Sequence, residues 1–416
     1  MDLNARVQLF PLIRRPEGEE FVVGRTDTNA FIYLPAEGVA LIDLLEQGLS
    51  LQQAQDEFAR QHGETPDIAD FVQSLAELGF VQSTSSGELA EVVAANTAAA
   101  VPGGHLAGIP QPVAARFFVR PLLWLYMLYI AGAVAIVAGT TGYVPRSLDQ
   151  LWHPWVMVSV LGMLSFNVVQ TFLHEMAHLL AARSRGVASR MGLSRRLLEL
   201  VAVTDISGLY AVPIADRYLP YLAGMIWDAL VGASFVYLLK LSDSGLLPLP
   251  HLGYTAAKAG VFICTTRLLW QLQVHLKTDL YYILANWLQA RNLQADSLGY
   301  LGNLWSRLRR RPATYDLSAL PRRELRVVSR YSSLLVGLLA LYWVSFVLLQ
   351  IPFYVATVPR ALRQLTAGWA ANPAGFGDSL IFLFTLGLNY GLLLYLLLRD
   401  RLATRRQPGA TVGGQP

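Results

Sequence analysis

Cysteine is almost missing from this sequence: Cys264 is the single one among 416 residues. That excludes an internal disulfide and any zinc cluster built on thiolates. Lying inside an apolar run, Cys264 reads as a small buried hydrophobe. Charge is scarce too. Only 15% of the residues are Asp, Glu, Lys or Arg, where globular chains carry about 25%, and the mean hydropathy is positive. The opening MDLNARVQLF lacks the charged start, apolar core and small-residue cleavage site of a signal peptide, so the first domain is expected to stay in the cytoplasm. Basic residues are few in residues 1–82, which hold 5 Arg and no Lys against 14 Asp and Glu, a net of −9. An acidic domain of this kind argues against nucleic acid as a partner. The remainder is then +13, as suits basic loops beside a lipid bilayer.

What is present divides into a soluble-looking start and a long apolar remainder. Phe21-Val22-Val23 and Ala30 to Leu34 are strand-like runs around the turn formers Gly24 to Asn29, the pattern of a hairpin. Three helical patterns follow. One runs from Glu37 to Gln47 and stops at Gly48. A second starts after Ser50 with Leu51, Ala54 and Phe58 on one face. The third takes Thr65 as N-cap, Pro66 at its first position and Gly79 as its stop. Residues 83–115, rich in Ser, Ala, Gly and Pro, read as a flexible linker. Residues 116–400 form the membrane domain and 401–416 a cytoplasmic tail.

Six apolar segments lie in that membrane domain, at about 120–139, 156–182, 218–240, 256–276, 331–355 and 378–398. Each has the roughly 20 helical residues that a bilayer core of about 30 Å requires. The expected fold class is therefore mainly α, a polytopic membrane bundle of about six transmembrane helices behind a small α+β winged-helix-like domain. Loops 183–217 and 277–330 carry six and ten basic residues, and the alternate loops are poor in them. By the positive-inside rule both termini are cytoplasmic in a multi-pass cell-membrane protein. Polar residues concentrate in the second, third and fourth segments, among them Gln170, His174, Glu175, His178, Asp228, Lys258, Arg267 and His275. Charges at membrane depth usually face a bundle interior or an aqueous cavity, so these three helices are expected to surround a site.

His174-Glu175-Met176-Ala177-His178 has the spacing His-Glu-x-x-His. On a helix the two imidazoles stand one turn apart on one face, fit to bind one zinc ion. Zinc brings the pKa of a bound water to about 7, and Glu175, next to the first histidine, is placed as general base and then proton donor. The bland alternative is a helix with two buried histidines and a paired Glu. A catalytic zinc needs a third protein ligand. Asp279 is favoured, because it lies where the fourth segment reaches the same depth as the motif. Asp228, Asp205 and His275 remain alternatives as ligands, as a partner of a ligand or as substrate-orienting groups.

On these residues the chain resembles the site-2 protease family of intramembrane zinc metalloproteases. That resemblance implies an Asp ligand in a later membrane helix, usually in Leu-Asp-Gly. Lys277-Thr278-Asp279-Leu280-Tyr281-Tyr282 resembles the form in the bacterial branch of peptide zinc metalloproteases, with Leu280 where Gly is usual. Gly224-Met225-Ile226-Trp227-Asp228 is similar to the family's Gly-Pro-x-x-Asn, with Met225 for Pro and Asp228 for Asn. The resemblance also implies that loop 184–217 forms strands beside the site. Residues 1–82, with Leu41-Ile42-Asp43-Leu44-Leu45 and Leu75 to Val81, resemble the PqqD-like domains. That implies a module binding a leader peptide of a ribosomally made precursor as an added strand.

The leading expectation is thus a zinc metallopeptidase acting on a peptide or membrane-protein substrate, with Zn2+ as its cofactor. The rival is a non-catalytic membrane protein for peptide binding, export or immunity that keeps the zinc motif. A transporter is a third reading, weakened by the lack of a two-halved repeat. Glu175 between the histidines favours the enzyme, since a purely structural zinc does not need it.

Overall fold

A computed structural model describes residues 2–18, 20–85, 87–98, 108–196, 199–290, 292–318 and 320–406. The chain is mainly helical and divides into two compact units. The first comprises Met1–Leu128, Gln170–Asp228 and Gln273–Val336, the second Tyr129–Val169, Ala229–Leu272 and Gly337–Pro416.

The N-terminal part is small and contains strands. It runs β1 (Val7–Leu9), β2 (Ile13–Glu17), β3 (Glu20–Arg25), β4 (Ala30–Leu34), α1 (Ala36–Glu46), α2 (Leu51–His62), α3 (Ile68–Glu77), β5 (Val81–Thr84) and α4 (Gly87–Ala98). Strands β2, β3 and β4 make an antiparallel sheet in that order, and β1 pairs with β5. Phe21 faces Leu34 and Arg25 faces Ala30 across the expected hairpin. The α2 start is fixed by a capping box between Ser50 and Gln53. The α3 start differs from the expected Thr65. Asp67 is the N-cap, its carboxylate accepting from the Asp70 N–H, because an Asp two residues nearer the apolar stripe supplies that acceptor. Ile42, Leu45, Leu51, Ile68, Leu75 and Phe80 fill one core.

Residues 83–115 are not simply a linker. Residues 83 and 84 close β5, and α4 brings Leu89, Val92 and Val93 onto the same core. Their spacing of three and four marks one helical face, which the Ser/Ala-rich composition around them hides. Residues 99–107 lie outside the described residues. A short helix, α5 (Gln111–Ala115), follows.

The long helices then begin: α6 (Arg120–Gly139) and α7 (Val156–Ser184), the antiparallel strands β6 (Arg190–Arg196) and β7 (Glu199–Asp205), then α8 (Ile214–Asp243), α9 (His251–Trp270), α10 (Asp279–Leu288), α11 (Leu293–Leu308), α12 (Arg322–Leu349), α13 (Ile351–Ala367) and α14 (Pro373–Arg406). Among the described residues four stretches are long and apolar enough to cross a membrane: Arg120–Gly139, Val156–Ser184, Ile214–Asp243 and Arg322–Ala367. Trp124, Leu125, Met127 and Leu128 are exposed on α6, as are Trp343, Val344, Val347 and Leu348 on α12. Contiguous apolar surface of this kind marks a membrane or protein contact. The expected segment 256–276 is not one continuous helix. It ends at Trp270, a short 3-10 turn covers Val274–Leu276, and Lys277 turns left-handed before α10. The polar Gln271 and Gln273 fall at that break.

In the second unit, Ala133, Tyr143, Ala233, Val236, Leu239, Ala257 and Val261 form a core. Lys258 pairs with Asp149 at 2.9 Å, and Arg267 donates to the Asn167 amide oxygen at 2.8 Å. The Asp378 carboxylate accepts the Val156 and Met157 N–H groups at the start of α7, where an anion suits the positive helix end.

Candidate metal centre

The site lies in the first unit and starts from helical spacing. On α7, His174 and His178 stand one turn apart on one face, and both are buried. Pro220, Gly224 and Asp228 recur every four residues on α8, so they too line one face, and each answers a histidine. The Pro220 carbonyl accepts from His178 Nδ1 at 2.7 Å. The Asp228 carboxylate, 1% exposed, lies 2.9 Å from His174 Nδ1. Gly224 supplies the room between them. A Cβ there would come within 2.5 Å of His178 Nε2 and closer still to His174 Nε2. Glycine is the side chain that permits this approach of helix to imidazoles.

The third group arrives from α10. Thr278 is its N-cap and Asp279 its first residue. Tyr282, one turn on, stacks on Tyr221 of α8 with ring centroids 5.7 Å apart. Asp279 Oδ2 is 3.0 Å from His174 Nε2, its Oδ1 is 3.3 Å from His178 Nε2, and the two Nε2 atoms are 3.1 Å apart. The three residues offer ligand atoms within 4.8 Å of one another. Burial opposes ionisation of Asp279, but the His178 and His174 rings beside it, when protonated, hold its carboxyl well below the usual carboxylate range by their charge and hydrogen bonds.

Tautomers decide what this cluster can do. A carbonyl oxygen only accepts, so His178 Nδ1 carries the proton. A carboxylate at His174 Nδ1 puts the proton there too. In the neutral rings both Nε2 lone pairs then face each other and the Asp279 carboxylate. Acceptors gathered this closely repel unless a cation or added protons lie among them. Donors around a metal at 2.0–2.1 Å in tetrahedral array would be about 3.3 Å apart, close to the separations found. Two imidazole nitrogens and a carboxylate oxygen therefore fit a divalent cation.

Glu175 follows His174 but engages β7. Its Oε2 accepts the Thr204 N–H at 2.8 Å, and its backbone carbonyl accepts the Thr204 hydroxyl at 2.9 Å. The β6–β7 hairpin thus runs beside the motif, with Leu197 and Leu198 outside the described residues. Asp205 is not among the three gathered groups. Asn29, Arg190 and Ser207 surround its carboxylate, which burial would raise but Ser207, Asn29 and Arg190 hold below its ordinary range. His275 is also outside the group. It belongs to the 3-10 turn before Lys277, and its carbonyl accepts from the Gln294 amide at 2.5 Å. That turn separates it from the face of α10 that carries Asp279. Sequence reasoning missed Pro220 and Thr204. A Pro and a Gly four residues apart inside an apolar helix were the available signal for the first; a backbone donor on a strand leaves none.

No protein-family model, curated protein or solved structure matches this chain.

Proposed function

We propose that the chain is a multi-pass membrane zinc metalloprotease that hydrolyses peptide bonds in a peptide or membrane-associated substrate. The observation that carries this reading is the convergence of the Asp279 carboxylate with the Nε2 atoms of His174 and His178, on the helix that also carries Glu175, with ligand atoms within 4.8 Å of one another. His174, His178 and Asp279 would hold the ion. When bound, zinc polarises a scissile carbonyl and makes water nucleophilic at neutral pH. Asp228 and the Pro220 carbonyl keep the two rings in one tautomer and orientation. Glu175 takes the water's proton at its carboxylate and returns it to the leaving amine. The Thr204 N–H holds one carboxylate oxygen, fixing its plane.

The N-terminal domain fits substrate recruitment. Strand β4 is an edge of its sheet. Between it and α3 is a groove of about 440 Å³ lined by Ile32, Leu34, Leu41, Phe71 and Leu75. An extended leader peptide can add to such an edge while its side chains enter the groove. Cytoplasmic termini follow from the basic loops.

The test uses the purified full chain in detergent with zinc and a mixture of apolar peptides. New amino termini should appear with wild type and not with Glu175→Gln, while both keep zinc. Bound metal and bound peptide without new termini would favour the rival, a non-catalytic peptide-binding, export or immunity protein.

A further inference from the structure

The N-terminal domain reaches the metal-site elements through its sheet, within the first unit. Glu17, at the end of β2, forms a bidentate pair with Arg217 of α8, at 3.0 and 2.5 Å. The two side chains are only 10% and 2% exposed. Arg217 also donates to the Val212 and Tyr210 carbonyls, and Glu17 accepts the Tyr33 hydroxyl at 3.0 Å. Tyr33 and Phe31, alternate residues on one face of β4, meet the Tyr210 ring at 6.2 and 6.3 Å. Their neighbours Ile32 and Leu34 line the groove. One strand therefore faces the groove with one set of side chains and the metal-site segment with the other.

The contact extends to Glu175. Asn29, at the hairpin tip with φ +56°, donates to the Ala188 carbonyl at 3.1 Å and reaches Asp205 at 3.4 Å. Asp205 is the last residue of β7, and its neighbour Thr204 holds Glu175 at two points. Gly208 permits the approach, since a Cβ there would lie 2.6 Å from Asn29 Oδ1 and 2.7 Å from Val187 Cγ1.

We infer that the docked N-terminal domain is a positioning element for Glu175, acting through Asn29, Asp205 and Thr204, with Glu17 and Arg217 as its latch. This rests on the proteolytic reading of the site. The domain then governs turnover as well as recruitment, and a segment bound along β4 acts on the strand that also contacts Tyr210. The latch pair fastens the domain to residues 210–217, Asn29 meets the end of β7, and β7 holds Glu175.

The experiment compares full-length wild type, Glu17→Gln and Asn29→Gly. Glycine keeps the left-handed backbone at position 29 and removes only the amide. Deuterium uptake of peptides covering 199–206 is measured beside zinc content and the kinetics on a short peptide lacking any leader. In both variants uptake across 199–206 should rise at least threefold at early times. The turnover number should fall about tenfold, with the Michaelis constant within twofold and zinc unchanged. Unchanged uptake and unchanged turnover in Asn29→Gly overturn the inference, whatever Glu17→Gln does. If wild type cuts nothing while uptake still rises in the variants, the proteolytic reading fails and the coupling of domain to β7 stands.

Discussion

Asp228 and His174 meet at 2.9 Å, one from the middle of α8 and one from the third quarter of α7, and both are buried. If His174 holds the proposed metal ion, that contact would make Asp228 the orienting partner of a ligand, whereas Asp279 faces both Nε2 atoms. The two carboxylates should therefore respond differently to substitution. Asp279→Ala should abolish stoichiometric metal binding, as should the double change His174→Ala, His178→Ala. Asp228→Asn should keep the metal with affinity lower by about 10–100-fold, the usual effect of losing a ligand's outer partner. Elemental analysis and competition with a chelator read both. Full metal in Asp279→Ala would remove it from the ligand set.

Glu175→Gln preserves size and the acceptor for the Thr204 N–H, and removes only the basic oxygen. Loss of general base catalysis costs about 10²–10⁴ in rate. Turnover should fall in that range or further, with metal content unchanged. Activity within a few-fold of wild type would show that another group takes the proton.

Gly224→Ala separates local helix stability from the site. In an exposed helix the change would stabilise by about 1 kcal/mol. At position 224 the added methyl would press on the Nε2 atoms of both histidines, so metal binding should be lost while the helical circular dichroism signal is kept. A variant that retains full metal would mean that α8 can back away from α7.

The His174 and His178 pair was legible because ionisable groups one turn apart stand out in an apolar helix. Asp279 was legible from its depth. The hairpin Phe21 to Leu34 and the Ser50 cap were legible because they depend on near neighbours. Pro220, acting through its carbonyl, left only its spacing from Gly224, and Thr204, whose N–H and hydroxyl meet Glu175 across a loop, left no local pattern. The pair Glu17 and Arg217 joins residues 200 positions apart, and no local pattern encodes it. The break after Trp270 was obscured by an apolar composition that continues through Leu272, Val274 and Leu276.

The Glu17–Arg217 latch gives a stability prediction. Removing one member of a buried ion pair leaves the other uncompensated, a loss of about 3–5 kcal/mol. Glu17→Gln should accordingly open the docked domain, seen as new protease cleavage within residues 206–213, the segment that Phe31 and Tyr33 contact at Tyr210. The doubly neutral variant Glu17→Gln, Arg217→Met should be closer to wild type than the single one, because no charge is stranded. If the single and double variants are cleaved equally fast, the pair is not the latch.

The N-terminal domain itself should end later than its sequence suggests. Leu89 of α4 is 3% exposed in the same core as Leu45 and Phe80, so a piece ending at residue 82 leaves that part of the core open. Burial of one leucine side chain contributes about 1.5–3 kcal/mol, and Val92 and Val93 add partial burial. Residues 1–98 should therefore unfold at a higher urea concentration than residues 1–82, with a stability difference of about 2 kcal/mol or more. Leu89→Ala in the longer piece should bring most of that difference back. Identical midpoints for the two pieces would mean that α4 contributes nothing to the domain. The same boundary changes what a deletion reports. Removing residues 1–82 from the full chain strands Arg217 and frees β7 from Asn29, so turnover should drop even on a short substrate, in addition to any rise in the Michaelis constant for a full one.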